Sequence, residues 1–529
     1  MILENRGGKM KKIICFLLSF TLIFLSGCVE KNKEVTSDEG IRDYLIYNIE
    51  AMPKDLIMLE EDSRREGDLL LSLFDGLVGL DKNNNIVPEL SEKWEISKDG
   101  IDYKFYIKDN LFWSNGKKIV ARDFEKFFKD MLIYCKENNI KFNELNSVYG
   151  VKDYLTNGNL DNIAIKAKEN NILEIRLNNK DTNFLSTLSK PRYKLRKIDE
   201  KTKNYKENFN EISCTGAFYI SKIAKDQITI NKNNKYWDKE NIKINKIVLK
   251  SIQNSEEALA YLKTSKLDLF IDPPIAEINN LNKEGLISKK LSLETGNIIF
   301  NKKDYIDLNL RRAIDSCISR EEMCSKILYG KAVPAVAYVP NNIAQNDDIS
   351  YGKNYFNLNR NLQRAKEFLD KSEYKKERKD LKIISIEDPI SNKITNSLIE
   401  ELKENLDMNI TLVNCKDESE LKKKIKNGDY DLAFVRNKAK NNDPLFFLLN
   451  FTSDSLQYEE FLNKIKSENN MWQKKEYINK AQDVLVKDLY TMPVCFFYDI
   501  LCKRSRVQGQ YITIHGNVVI KKITLAPYN

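Results

Sequence analysis

The stretch LLLSLFDGLVGLDKNNNIVPELSEKWEISKDGIDYKFYIKDNLFWSNGKKIVARDFEKFF, residues 69–128, decides the fold. Residues 66–74 are apolar at helical spacing and stop at Asp75-Gly76, a pair that predicts a left-handed C-cap on Gly76. Asp81-Lys82-Asn83-Asn84-Asn85 reads as a polar hairpin loop. With Glu92 at its twelfth position it imitates a calcium loop, but Ile86 stands where such a loop needs glycine, and Pro88 intrudes. Residues 102–108 (DYKFYIK) alternate polar with aromatic or apolar side chains, the pattern of a half-buried strand. Trp113-Ser114-Asn115-Gly116 predicts a turn with positive φ at its glycine, and Trp94 and Trp113 read as core. Residues 121–135 return to helix.

Outward from this block, strands and helices alternate. Strands are expected over 44–49, 173–177 and 227–230. A strand at 247–252, a helix at 256–264 and a strand at 267–271 form a β-α-β unit, and 381–386, 394–405 and 409–413 form another. One amphipathic helix is expected over 310–328, with Arg311, Arg312 and Arg320 on a solvated or salt-bridged surface. A helix at 477–489 and a strand at 494–498 follow. The class is mixed α/β, without sequence repeats or a Pro/Gly-rich linker.

The N-terminus carries an address. Lys9, Lys11 and Lys12 precede an apolar run of 13 residues, 13–25. A membrane-spanning helix needs about 20, so the run fits a signal-peptide core. Leu25-Ser26-Gly27-Cys28 follows directly and resembles a bacterial lipoprotein signal, which implies cleavage before Cys28 and acylation of its thiol. Removing residues 1–27, with four basic residues and one acidic, leaves +6 of the formal +9. Residues 29–40 are polar and read as a tether, and no later segment is apolar enough to span a bilayer.

Composition narrows the function. Of 529 residues, 42% are hydrophobic and 31% charged, enough for a sizeable core. A charge of +9 on this length is mild, and no basic stripe marks a nucleic-acid binder. A single histidine, His515, argues against multi-histidine metal sites and Ser-His-Asp catalysis, and no phosphate-loop, dinucleotide or nucleophile-elbow motif occurs. Seven cysteines remain after Cys15 and Cys28; they read as free, buried thiols, with Cys317 and Cys324 on one face of the 310–328 helix, too far apart to bridge. The Lys-rich run 421–426 reads as a solvated helix face. The rich use of Lys, Asn and Ile fits an AT-rich, single-membrane bacterium.

Leu73-Phe74-Asp75-Gly76-Leu77, Pro88-Glu89-Leu90-Ser91-Glu92-Lys93-Trp94, Phe105-Tyr106-Ile107-Lys108-Asp109, Trp113-Ser114-Asn115-Gly116 and Arg122-Asp123-Phe124 resemble, in order and spacing, the family 5 extracellular solute-binding proteins of ABC importers. Gly216-Ala217-Phe218, Asn233 through Trp237, Leu310 through Asp315 with Arg320, Asp429 through Leu432, and Asp443-Pro444-Leu445 extend the resemblance over roughly 41–525. It implies a two-lobe, type II periplasmic-binding-protein-like fold with a hinge and an inserted small domain. The expected limits are signal 1–27; tether 28–40; lobe I 41–73, 190–295 and 506–529; small domain 74–189; lobe II 296–505.

The resemblance implies a ligand held between closing lobes, its backbone paired as an added strand. It also implies an Asp, three residues before an acidic-Pro pair, that holds a peptide's ammonium. Here that stretch is Ala439-Lys440-Asn441-Asn442-Asp443-Pro444, so Lys440 occupies the Asp position. Asn437 replaces a frequent aromatic, Arg436 precedes it, and Arg64 and Arg65 lie in the segment that meets the cleft in the family. Two readings stay open. In one, Lys440 with Arg64 or Arg65 suits an acidic, N-blocked or carboxylate-bound ligand. In the other, the loop register is displaced and Asp443 serves the ammonium.

The function expected is a lipid-anchored, extracytoplasmic receptor that delivers an oligopeptide to an ABC permease and its ATPase subunits. A peptide or pheromone sensor, or a binder of an acidic or non-peptide ligand, is the alternative. No enzyme activity, cofactor, metal or nucleic-acid partner is expected, and a monomer is.

Overall fold

Leu45–Asn48 is buried at every residue, as a strand covered on both faces must be, and it runs parallel to its neighbours on either side, Lys246–Lys250 and Leu269–Ile271. The helix Ser255–Lys263 connects those two neighbours, completing the first expected β-α-β unit. Leu381–Ile386 and Ile410–Cys415, joined by the helix Pro389–Leu406, pair in parallel and complete the second. This computed structural model describes residues 42–59, 64–141, 143–341, 353–377, 379–468 and 470–526. The chain divides into two units, Met1–Asp43 with Pro527–Asn529, and Tyr44–Ala526; residues 42 and 43 of the first form no helix or strand, and all that follows concerns the second. Residues 1–27 and Cys28 lie outside the described residues.

Both β-α-β units belong to one eleven-stranded sheet. Its order is Ile410–Cys415, Leu381–Ile386, Leu432–Lys438, Ile287–Phe300, Thr491–Lys503, Leu269–Ile271, Leu45–Asn48, Lys246–Lys250, Gln227–Lys232 and Phe218–Ala224, with Ala332–Pro334 added beside Thr491–Lys503. Two members are unusually long. Ile287–Phe300 and Thr491–Lys503 run antiparallel, and each passes from one hydrophobic core to another. Leu501 packs with Leu45, Leu249 and Leu269, whereas Ile298, Phe300, Met492 and Phe497 pack with Ile314, Leu398 and Leu485. Their pairing slips twice, between Leu291 and Thr295 and between Gly296 and Asn297, so the ladder is irregular where the cores change over.

A separate four-stranded antiparallel sheet is formed by Ser91–Ile96, Asp102–Ile107, Ile172–Arg176 and Ile165–Glu169. Asp102–Ile107 alternates half-buried and buried as its sequence requires. The helix Ala121–Glu137 lays Phe124, Phe127, Phe128, Met131 and Leu132 into the core beneath this sheet. Trp113 is in that core and Trp94 packs against it. Gly116 has the positive φ its turn needs, and Asp81 closes the polar hairpin loop by accepting from the Asn83 and Asn85 backbone amides.

Three expectations are corrected. Gly76 does not have positive φ; a side chain there would press on Lys194 and the Tyr193 carbonyl, so close approach explains the glycine. The helix expected over 310–328 is broken. Leu308–Cys317 ends at extended Ile318, and Ser319 caps a new turn by accepting from the Glu322 amide. Cys317 and Cys324 therefore do not share one helix face. The break turns Arg320 inward, where it is fully buried, paired to Asp315 at 2.7 Å and donating to the Pro493 carbonyl at 2.9 Å. Arg311 is buried too, over the Tyr490 ring. Only Arg312 of the three keeps a partly exposed position.

All seven described cysteines are free and buried. Burial pushes Cys135, Cys214, Cys317 and Cys502 each up to about 12, which keeps them as unreactive thiols.

Candidate functional site

The strand Leu432–Lys438 is buried for four residues and surfaces at its end. The next residue, Ala439, is tied to the slipped segment of the long strand by its amide, which donates to the Leu293 carbonyl at 2.9 Å. A cleft of about 700 Å³ opens at this point. That volume falls in the range of small-ligand sites. One wall is Leu293 and Lys438 through Asn441, with Phe446. The opposite wall comes from Asn143, Glu144 and Ser147 and from Asp181, Asn183, Ser186, Thr187, Lys190, Pro191 and Arg192. Gly67, His515 and Asn517 also line it. Asn441 spans the two walls, donating from Nδ2 to Asn183 Oδ1 at 2.7 Å.

The lining carries four cationic side chains, Lys190, Arg192, Lys438 and Lys440, against two acidic ones, Glu144 and Asp181. Glu144 is committed: Lys190 pairs with it at 2.6 Å and the Tyr193 hydroxyl donates to it at 2.8 Å. Burial raises its carboxyl, but Lys190 and Arg192 outweigh that and hold it below the usual range. Asp181 accepts from the Asn183 amide at 2.9 Å. Burial, with Lys190 and Lys438 nearby, lowers His515 to about 3, so its imidazole is neutral and adds no charge. It faces Ser189 Oγ at 3.2 Å.

The structure separates the sequence candidates. Ala439 and Lys440 line the cleft. Lys440 is exposed and makes no hydrogen bond or ion pair among the described residues. Asp443 is absent from the lining; it caps the helix Pro444–Leu448 and pairs with Lys474 at 2.8 Å. Asn437 sits in the ladder opposite Thr295. Arg436 pairs with Glu294 at 2.6 Å and Asp388 at 3.3 Å and stacks over Phe497. Arg65 is buried, bound to Asp68 at 2.7 Å, the Tyr47 hydroxyl at 2.9 Å and the Gly516 carbonyl at 2.5 Å. Burial opposes its charge, but Asp68 and Tyr47 outweigh this and hold Arg65 charged. Arg65 thus fastens the C-terminal segment and is not presented to the cleft. Arg64 opens the helix Arg64–Leu73. The opposite wall was missed because no motif marks it.

The sequence fingerprints meet in a buried ionic cluster beside the cleft. Lys521 pairs with Asp75 at 2.6 Å and Glu89 at 3.0 Å, and Lys194 pairs with Glu89 at 2.6 Å. The Tyr236 hydroxyl and Trp237 Nε1 donate to Asp75 at 2.8 and 2.9 Å, and the Gly76 amide donates to Glu89 at 2.9 Å. A polar cavity of about 20 Å³, room for one water, shares Pro191, His515 and Asn517 with the cleft and Glu89, Lys194 and Lys521 with the cluster.

A mixed sheet whose two long strands cross between cores, with a cleft at the crossing, is the type II periplasmic-binding-protein fold. Residues 85–459 match the family model described as bacterial extracellular solute-binding proteins, family 5 Middle, and the chain belongs to that family. It is 26% identical to the oligopeptide-binding protein OppA of Bacillus subtilis, over 97% of this chain and 99% of that protein. It is 24% identical to the dipeptide-binding protein DppE of the same organism, over 83% and 84%. A periplasmic oligopeptide-binding protein of Borrelia burgdorferi superposes with a TM-score of 0.71 at 22% identity, over 92% of this chain and all of that one. Members of the family are solute-binding receptors, and this chain is a receptor and not an enzyme. No helix among the described residues is long and apolar enough to cross a membrane.

Proposed function

We propose that this protein is a lipid-anchored extracytoplasmic receptor that captures an oligopeptide in the cleft and delivers it to an ABC permease. The observation that carries the reading is the 700 Å³ cleft at the slipped crossing of the two long strands, spanned by Asn441 and Asn183. The relatives named for oligopeptide and dipeptide binding supply the ligand class. The separate cores support a division into lobe I (41–73, 190–295, 506–529), a small domain (74–189) and lobe II (296–505), with the Leu291–Thr295 irregularity as the pivot. Lobe closure would desolvate the ligand and present a distinct shape to the permease. Cys28, after a signal of 1–27, is the anchor in this reading, and 28–40 the tether.

The test is to purify residues 29–529, denature them, and identify what is released by mass spectrometry. A series of short peptides is expected. A single non-peptide compound would overturn the peptide assignment. In cells, the full chain should take up labelled palmitate and Cys28→Ser should not; equal labelling of both would remove the anchor.

A further inference from the structure

We propose that the cleft recognises its ligand through a carboxylate, with Lys440 as the residue that meets it. The proposal rests on the receptor reading above and narrows the ligand class. Lys440 projects from the loop after Leu432–Lys438, lines the cleft and has no partner among the described residues. Lys438 lines the same wall two residues earlier. Across the cleft the lining carboxylates are Glu144 and Asp181, and Glu144 is already held by Lys190 and Tyr193.

Lys440 therefore stands in the cleft without a counter-charge among the described residues before a ligand arrives. Closing the walls strips water from its ammonium, and a buried charge without a counter-charge is strongly unfavourable. A ligand that brings an anion removes that obstacle; one that brings only an ammonium adds to it. Asp181 is the one cleft carboxylate without a cationic partner among the described residues, so a free amine has a single candidate acceptor. Carboxylate is the anion a peptide offers, either at its C-terminus or on Asp and Glu side chains. The flexible lysine stem suits both, because it acts as a point charge and imposes no fork geometry.

The experiment offers four tripeptide pools to residues 29–529, each in excess, and measures retention by mass spectrometry. The pools are neutral residues with free termini, the same with an amidated C-terminus, amidated peptides carrying one Glu, and N-acetylated neutral peptides with a free C-terminus. Glutarate and succinate are run as non-peptide carboxylates. At least one carboxylate-bearing pool should be retained at least tenfold over the amidated pool of neutral residues, which carries only its ammonium. Free-terminus and acetylated pools alone would identify the C-terminal carboxylate; the Glu pool alone would identify a side chain. Lys440→Met should abolish the preference, while Lys422→Met, which removes the same charge from the exposed helix Glu418–Lys426, should keep it. Equal retention of the amidated neutral-residue pool, or a preference unchanged in Lys440→Met, overturns the proposal. Retention of dicarboxylates with no peptide would overturn the peptide reading and leave this one standing. Retention of no carboxylate at all overturns this one.

Discussion

Replacing Lys521 with methionine should cost ~3–5 kcal/mol of stability, the usual loss when one partner of a buried ion pair is removed. Lys521 lies between Asp75 and Glu89, and all three are largely or wholly excluded from water. Without Lys521, Asp75 loses its one ion-pair partner among the described residues, and Glu89 keeps only Lys194. Burial alone would lower the Lys521 pKa, but Asp75 and Glu89 carry it well above its ordinary value. Glu89 is the acid-sensitive member. Burial raises it, yet Lys194 and Lys521 bring it down to about 2 from 4.5. Its folded pKa is depressed, so its contribution is complete above pH 4.5 and is lost as pH falls toward 2. Denaturant titrations of both proteins at pH 7, 4 and 3 check this. The wild type should weaken on acidification through that window, and Lys521→Met should start weaker and unfold at higher pH. Adding Asp75→Asn to Lys521→Met should recover part of the loss by restoring charge balance. A loss under about 1 kcal/mol in the single variant would show that the cluster is not a tightly coupled unit.

The second large effect is expected at Gly216. A Cβ there would lie 2.6 Å from both the Leu73 carbonyl carbon and the Phe74 nitrogen, and 2.8 Å from the Ser72 oxygen. These are backbone atoms and cannot swing aside. The approach is tight because the Gly216 amide donates to the Leu73 carbonyl at 2.8 Å, at the open end of the helix Arg64–Leu73. Gly216→Ala should cost ~3 kcal/mol or more, the upper range for overpacking. Gly116→Ala is the comparison: its φ is 87°, but nothing lies within 4 Å, so only conformational strain of about 1–2 kcal/mol is expected. Equal unfolding midpoints for the two variants would remove close packing as the reason for Gly216.

These two sites explain why the fold was legible and most of the cleft was not. Asp75, Gly76, Glu89, Gly216, Tyr236 and Trp237 fall in the fingerprints because each has a fixed partner in the scaffold. Such demands leave strict spacing in the sequence. The helix expected over 310–328 failed because apolar periodicity continues through a break that depends on Arg320 reaching Pro493 and Asp315. Arg65 carried a visible signal, Asp68 three residues on, that its charge was already matched. Lys440 drew notice only as a departure within a recognised pattern. The facing wall, from Asn143 to Arg192, is set by how the small sheet sits against the long strands, and no local period encodes that.

The ionic cluster also bears on the order in which the chain can fold. Asp75 meets Lys521 across 446 residues, Asp68 meets the Val518 amide across 450, and Arg65 meets the Gly516 carbonyl across 451. A chain that emerges N-terminus first exposes these early groups long before their counterparts exist. Until residues 516–521 arrive, Asp75 lacks its cation, Glu89 has only Lys194, and the Arg65–Asp68 pair lacks the Gly516 carbonyl and Val518 amide, so burying these groups is opposed by uncompensated charge and unmet hydrogen bonds. The first half is thereby disfavoured from settling into its final packing before the end of the chain is present. Completion becomes a single late event, with the last segment acting as the clasp.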